Sequence, residues 1–237
     1  MSDTGYKFSS AQAGDHDELH ELVQGKGTYT SDISMPAQLH ACFVRSPWAH
    51  ARIRAIDTQA ALQSEGVHGV ITAKDVAQAG LGPIMPLVVL KGSDGHNMHC
   101  SGMPILAHEE VRHVGEPVAL VAAQTLEQAM NAAELIQIDY EPLACVTDLQ
   151  AAVAPGAVLV QPIAPGNVAM DWSLGNTPAL EQAFAQAHHV QDIELADPML
   201  TGAPMEPKAA LAHYDAAQDR YTLVASTQGV KNIQHVL

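Results

Sequence analysis

Three cysteines in 237 residues leave little room for thiol chemistry. Cys42, Cys100 and Cys145 form no Cys-x-x-Cys pair, which fits a reducing compartment. They also exclude an all-cysteine iron–sulfur cluster within this chain, since that needs four thiolates. Basic residues are scarce too: 11 Lys and Arg stand against 26 Asp and Glu, a formal net charge of −15. A chain of this sign repels a nucleic-acid backbone and an anionic membrane surface, so neither is expected as a partner, and solubility accounts for the charge. Aromatics are only 4% of the chain although hydrophobic residues reach 47%, so alanine carries much of the apolar content. No run of 18 or more apolar residues is present to make a transmembrane helix. The N-terminus, MSDTGYKFSSAQAGDHDELHE, has no basic region ahead of an apolar core and no twin arginines. A cytoplasmic location is the expectation.

The common catalytic fingerprints are missing as well. There is no P-loop and no Gly-x-Ser-x-Gly elbow. Gly25-Lys26-Gly27 and Gly80-Leu81-Gly82 are Gly-x-Gly pairs without the third glycine of a dinucleotide site. Residue types and spacing alone therefore give no complete active site. Length suggests one or two domains, and no period of 20 to 50 residues repeats.

What is there reads as α+β. Residues 1–21 form a polar tail in which His16 and His20, four apart, are too few for a metal site. Gly25-Lys26-Gly27 and residues 32–36 read as turns around a short strand. Residues 39–44 and 51–56 read as strands, parted by a bend at Ser46-Pro47 because proline removes a ladder donor. Residues 58–63 suggest a short helix capped by Asp57 or Thr58 and ended by Gly66, with a strand over 67–72. Residues 80–104 form a long surface loop turning at Asp94-Gly95. His96, His99 and Cys100 at its tip are zinc-ligand types, but no second cluster completes a tetrahedral site, and a flexible insertion is expected. Residues 105–111 and 118–123 read as strands. Thr125-Leu126-Glu127-Gln128 matches a capping box for a helix to about Leu135, with Leu126, Ala129, Met130 and Ala133 as its apolar face. A strand over 136–140 completes a domain spanning 22–145. Beyond Asp148 alanine and proline dominate, as at a domain boundary. Thr177-Pro178 opens a helix to about His188, with Leu180, Phe184 and Ala187 on one face. Residues 190–195, 209–214 and 221–226 read as strands, the last two joined by a hairpin at 215–219.

One stretch is more idiosyncratic than a strand requires: LHACFVRSPWAHARIRAID (39–57), preceded by GKGTYTSDISMP (25–36). Together they resemble the start of the molybdopterin-binding large subunits of the xanthine dehydrogenase, aldehyde oxidase and carbon monoxide dehydrogenase family. Further segments resemble the same family in the same order. They are HEEVRHVGEPVALVAA (108–123), AAELIQIDYEPL (132–143), APGNVAMDWSLG (164–175), MEPKAALAHYD (205–215) and RYTLVASTQG (220–229).

The resemblance implies an α/β hammerhead domain over 22–145. The start of a molybdopterin-binding α+β domain would follow over 146–237, left incomplete. It implies a molybdenum-dependent oxidoreductase that hydroxylates an aldehyde, an N-heterocycle or a related small molecule with water-derived oxygen, or oxidises carbon monoxide. Electrons would pass to [2Fe-2S] clusters and FAD on partner subunits. Gln228, in Ser226-Thr227-Gln228-Gly229, matches the glutamine that in this family approaches the apical oxygen ligand of molybdenum. A neutral amide N–H suits that role because it adds no charge near the metal. A strand-end glutamine bonded to a loop carbonyl is the alternative. The family's molybdenum has no direct side-chain ligand, and its catalytic glutamate lies far downstream. Glu206, in Met205-Glu206-Pro207, is therefore read as holding a turn near the cofactor, and no catalytic residue is implied among the 237. His50 and Arg52 are read as exposed or scaffold residues, and Glu116 as a turn residue that packs between domains. The family's glycine-rich pterin segments and C-terminal glutamate have no counterpart here. The chain is expected to be inactive alone, as a truncated product or as a part completed by a separate chain. A non-catalytic interaction module is the rival expectation.

Overall fold

The computed structural model describes residues 17–175, 177–197, 200, 202–206 and 208–236. In chain order the elements are α1 (Asp17–Val23), a 3-10 turn (Thr30–Asp32), β1 (His40–Arg45), β2 (Ala51–Asp57), α2 (Gln59–Leu62), β3 (Val67–Thr72) and α3 (Ala73–Gln78). There follow β4 (Glu110–Val111), β5 (Pro117–Ala123), α4 (Leu126–Glu134), β6 (Gln137–Pro142), α5 (Leu149–Ala152), α6 (Thr177–Gln186), β7 (Ala210–Asp215), β8 (Arg220–Ala225) and α7 (Val230–Val236). They divide into two units. The larger is built on Ala37–Ala196, and the smaller joins the chain up to Pro36 with Asp197–Gln234.

In the larger unit β5 is the centre of an antiparallel sheet ordered β1–β5–β3, with Val121 opposite both Cys42 and Val70. Its run PVALVAA is apolar because Val118, Ala119, Val121 and Ala123 are all fully buried. Helix α4 covers this sheet. Its capping box forms as the sequence suggests: Thr125 Oγ1 accepts from Gln128 N, and Gln128 Oε1 accepts from Thr125 N, both at 3.1 Å. The buried face differs from the expected one. Ala129 and Ala132 are fully buried, whereas Leu126 and Met130 lie on the outer flank, more than half exposed. Alanine at the contact lets the helix lie close to the strands, and the larger side chains turn away.

A second sheet, ordered β4–β2–β6, encloses Ala51, Ala107, Val111 and Val118 with Ile53 and Tyr140. Only Glu110–Val111 is strand in the segment expected over 105–111. Leu106 and Ala107 are buried outside a ladder, and Ala107 N donates to Pro117 O at 2.8 Å. At α2 the N-cap position is Thr58, which makes no side-chain cap; Asp57 Oδ1, one residue earlier, accepts from Gln59 N at 2.9 Å instead. Helix α3 was not expected, although Thr72-Ala73-Lys74-Asp75 carries a capping signal. Thr72 Oγ1 and N both donate to Asp75 Oδ2 at 2.7 Å, and these bonds hold the Asp75 carboxyl below its ordinary range.

The 80–104 loop is closed by bridges between Ile84 and Met103 and between Lys91 and Asn97. Its tip turns at Gly95, where φ of 81° favours glycine. Asp94 Oδ1 accepts from His96 N at 2.9 Å, which lowers the Asp94 carboxyl. Helix α6 forms where Thr177-Pro178 points, but no residue of it is buried and Leu180 and Phe184 stay exposed. The strand expected over 190–195 does not form; those residues are exposed and lack a ladder partner among the described residues.

The smaller unit holds α1, the 3-10 turn, the β7–β8 hairpin and α7 as far as Gln234. No strand forms over 28–31, because Asp32 Oδ2 accepts from Tyr29 N at 2.9 Å and closes the 3-10 turn. Helix α7 was not expected. His16 and most of the 1–21 tail lie outside the described residues. Among the described residues no helix is long and apolar enough to cross a membrane.

Candidate functional site

The β7–β8 hairpin pairs residue for residue, from Ala210 opposite Ala225 to Asp215 opposite Arg220. Its turn is fixed by Asp215 Oδ1, which accepts from Ala217 N at 2.9 Å and Gln218 N at 3.3 Å. Tyr214 Oη donates to Asp219 Oδ1 at 2.8 Å, and this bond raises the Tyr214 phenol above its ordinary value. The Tyr214 and Tyr221 rings lie 4.6 Å apart across the ladder and stiffen the turn end.

The other end of the hairpin is where the sequence places its candidate. Beyond Ala225 the chain runs through Ser226, Thr227, Gln228 and Gly229 into α7. Gly229 N donates to Thr227 Oγ1 at 3.2 Å, and Ile233 N donates to Gly229 O at 3.1 Å. Gln228 therefore sits in a short, internally bonded link between a strand and a helix. Its side chain is exposed, and among the described residues its amide has no hydrogen-bond partner. Among the described residues no loop carbonyl accepts from it. A neutral amide with two N–H donors, unpaired among the described residues, fits an oxygen-bearing ligand group.

Glu206 stands beside this link. Its Oε1 accepts from Ser226 Oγ at 2.7 Å, and Thr30 Oγ1 lies 3.4 Å from the same hydroxyl. The expected role of Glu206 in holding a turn thus acquires a partner. Ser226 is 20 residues away in sequence, too far for any local pattern to reveal it.

The remaining candidates lie in the larger unit. His50 Nδ1 meets Ala144 O at 2.6 Å, and Nε2 lies 3.8 Å from Glu110. Arg52 spans Glu110 and Glu141 at 3.8 and 3.5 Å, Arg54 also pairs with Glu141, and Arg112 reaches Glu110 at 3.2 Å. His50 and Arg52 are scaffold, tying β2 to β4 and β6. Glu116 is 5% exposed and works inside its own turn: its carboxylate accepts from Arg112 N at 2.5 Å and lies 3.5 Å from His113 Nδ1. His96, His99 and Cys100 do not assemble a site; among the described residues no three His, Cys, Asp or Glu side chains are placed to hold a metal ion.

Residues 24–144 match the model of the aldehyde oxidase and xanthine dehydrogenase a/b hammerhead domain. The chain belongs to that family. Residues 160–237 match the molybdopterin cofactor-binding domain, so the link that carries Gln228 lies inside the matched segment. The nicotine 6-hydroxylase large subunit of Paenarthrobacter nicotinovorans is 39% identical over 209 residues, 87% of this chain and 24% of that protein. The carbon monoxide dehydrogenase large chain of Afipia carboxidovorans is 32% identical over 228 residues, 91% of this chain and 27% of that protein. Among solved structures, quinoline 2-oxidoreductase from Pseudomonas putida 86 superposes with a TM-score of 0.76 at 31% identity, covering 89% of this chain and 26% of the other. A Cu,Mo-CO dehydrogenase gives 0.76 at 30% identity, covering 92% and 28%. The chain spans about a quarter of the length of the relatives it matches. The α+β hammerhead fold and the cofactor-binding segment are those of this family.

Proposed function

We propose that this chain is the N-terminal part of the large subunit of a molybdenum hydroxylase. After a polar tail at 1–21, residues 22–145 form its hammerhead domain and 146–237 begin its molybdopterin-binding domain. The complete enzyme hydroxylates an aldehyde, an N-heterocycle or a related small molecule, or oxidises carbon monoxide. When bound, the molybdenum–pterin group supplies a two-electron acceptor and the water-derived oxygen of that reaction. The remainder of the molybdopterin subunit completes the site, and iron–sulfur and FAD subunits take the electrons onward. The setting is cytoplasmic, in keeping with Cys42, Cys100 and Cys145 as free thiols.

Gln228 is this chain's own contribution to the cofactor site. The observation that carries the proposal is its exposed amide beyond β8, unpaired among the described residues and inside the segment that resembles a molybdopterin-binding domain. A neutral N–H donor there orients a polar atom of the cofactor without changing the charge at the metal. Gln228→Ala in the assembled enzyme is expected to lower kcat by about tenfold or more while folding and molybdenum content are retained. Unchanged activity together with an unchanged molybdenum EPR spectrum would remove Gln228 from the site. A folded, assembled complex without molybdenum would favour a non-catalytic interaction module.

A further inference from the structure

We infer that Glu206 is a positioning residue for Gln228, acting through the Ser226 hydroxyl. The inference rests on the role proposed for Gln228 above. The last ladder pair of the hairpin joins Ala210 to Ala225, so the sheet gives no direct hold on residues 226–229. Two other devices bracket Gln228. Across it, Thr227 Oγ1 accepts from Gly229 N and sets the entry to α7. On its N-terminal side, Ser226 Oγ donates to Glu206 Oε1 at 2.7 Å. A hydroxyl bonded to a carboxylate makes a shorter and stronger bond than two neutral groups do. Because the Ser226 proton points to Glu206, the Thr30 hydroxyl, 3.4 Å away, is placed to donate to Ser226 rather than accept from it. The three side chains form a directed relay from Thr30 to Ser226 to Glu206. It ties the 3-10 turn, the strand end and the residue-206 segment together two positions before Gln228. Glu206 Oε1 is engaged in this bond, so its effect on the cofactor passes through the backbone of the link and not through proton transfer.

The test compares Glu206→Ala, Glu206→Gln and Ser226→Ala with Gln228→Ala. The glutamine variant keeps an acceptor oxygen for Ser226, whereas the alanine variants remove the bond. In the chain itself, amide hydrogen exchange over residues 226–229 is expected to quicken about fivefold in E206A and in S226A. E206Q should stay within about twofold of the parent, and the E206A/S226A double variant should exchange no faster than either single one. In the assembled molybdenum enzyme, E206A and S226A should move the molybdenum EPR spectrum in the same direction as Q228A, with metal content retained. If E206A does not fold, S226A and E206Q carry the comparison, since Ser226 is exposed and loses one oxygen atom. Parent-like exchange in S226A overturns the inference. So does an EPR spectrum that Q228A shifts and S226A does not, an outcome that leaves the role of Gln228 intact. An EPR spectrum unmoved by Q228A overturns the role of Gln228 itself, whatever the exchange shows.

Discussion

Tyr140 shows how a single side chain in this fold is constrained. It stands on β6 opposite Ile53, and its hydroxyl is enclosed with no hydrogen-bond partner among the described residues. Ser46 Oγ is near enough to exert a weak opposing pull, but its own bonds go to the Trp48 carbonyl and N–H, both at 3.0 Å. Burial raises the Tyr140 phenol above its ordinary value of about 10. The unfolded chain therefore releases this proton first. Stability is full below pH about 10 and falls as pH climbs from there toward the raised folded value. Tyr140→Phe removes an unpaired polar group, so it is expected to be neutral or stabilising by up to ~1 kcal/mol. It should also lessen the alkaline loss, as read from urea midpoints between pH 7 and 11. A loss of stability at pH 7 would mean that the hydroxyl has a partner. At this scale the sequence was legible unevenly. The reading of His50 and Arg52 as exposed or scaffold residues followed from strand alternation. Gln228 emerged only from resemblance, since an amide at a strand end carries no chemical signature by itself. The Ser226–Glu206 bond was illegible, because it joins residues that only folding brings together.

Elements were most legible where a local rule decides them. Thr125 and Gln128 form the reciprocal cap that their spacing implies, and Asp94-Gly95 turns as written. Thr125→Ala is therefore expected to cost about 1 kcal/mol, measured as a lowered urea midpoint at unchanged slope, with Thr125→Ser close to the parent. An unchanged midpoint in T125A would show that packing of Ala129 and Ala132 alone fixes α4. Elements were least legible where partners decide. Residues 190–195 have a strand's composition but find no neighbouring strand among the described residues, and residues 105–108 are held by Ala107 and Pro117 outside a ladder. Alternation of residue types records that one face is apolar, not that a partner exists. The apolar face of α4 was misplaced for a related reason. In a chain with few aromatics, the contact surface is made by alanine, and Leu126 and Met130 are free to sit at its edge.

For the whole molecule, family and fold were readable because seven short segments keep their order along the chain, which no composition argument supplies. The relatives that match this chain over about a quarter of their length have names with chemically unlike substrates, nicotine and carbon monoxide among them. The central claim is that the chain serves a molybdenum site. Its most direct test is the molybdenum and pterin content of the large subunit carrying this chain, purified in complex with its partners from a host that makes the cofactor. The account predicts close to one molybdenum and its pterin per subunit. A folded, assembled complex with neither would contradict it.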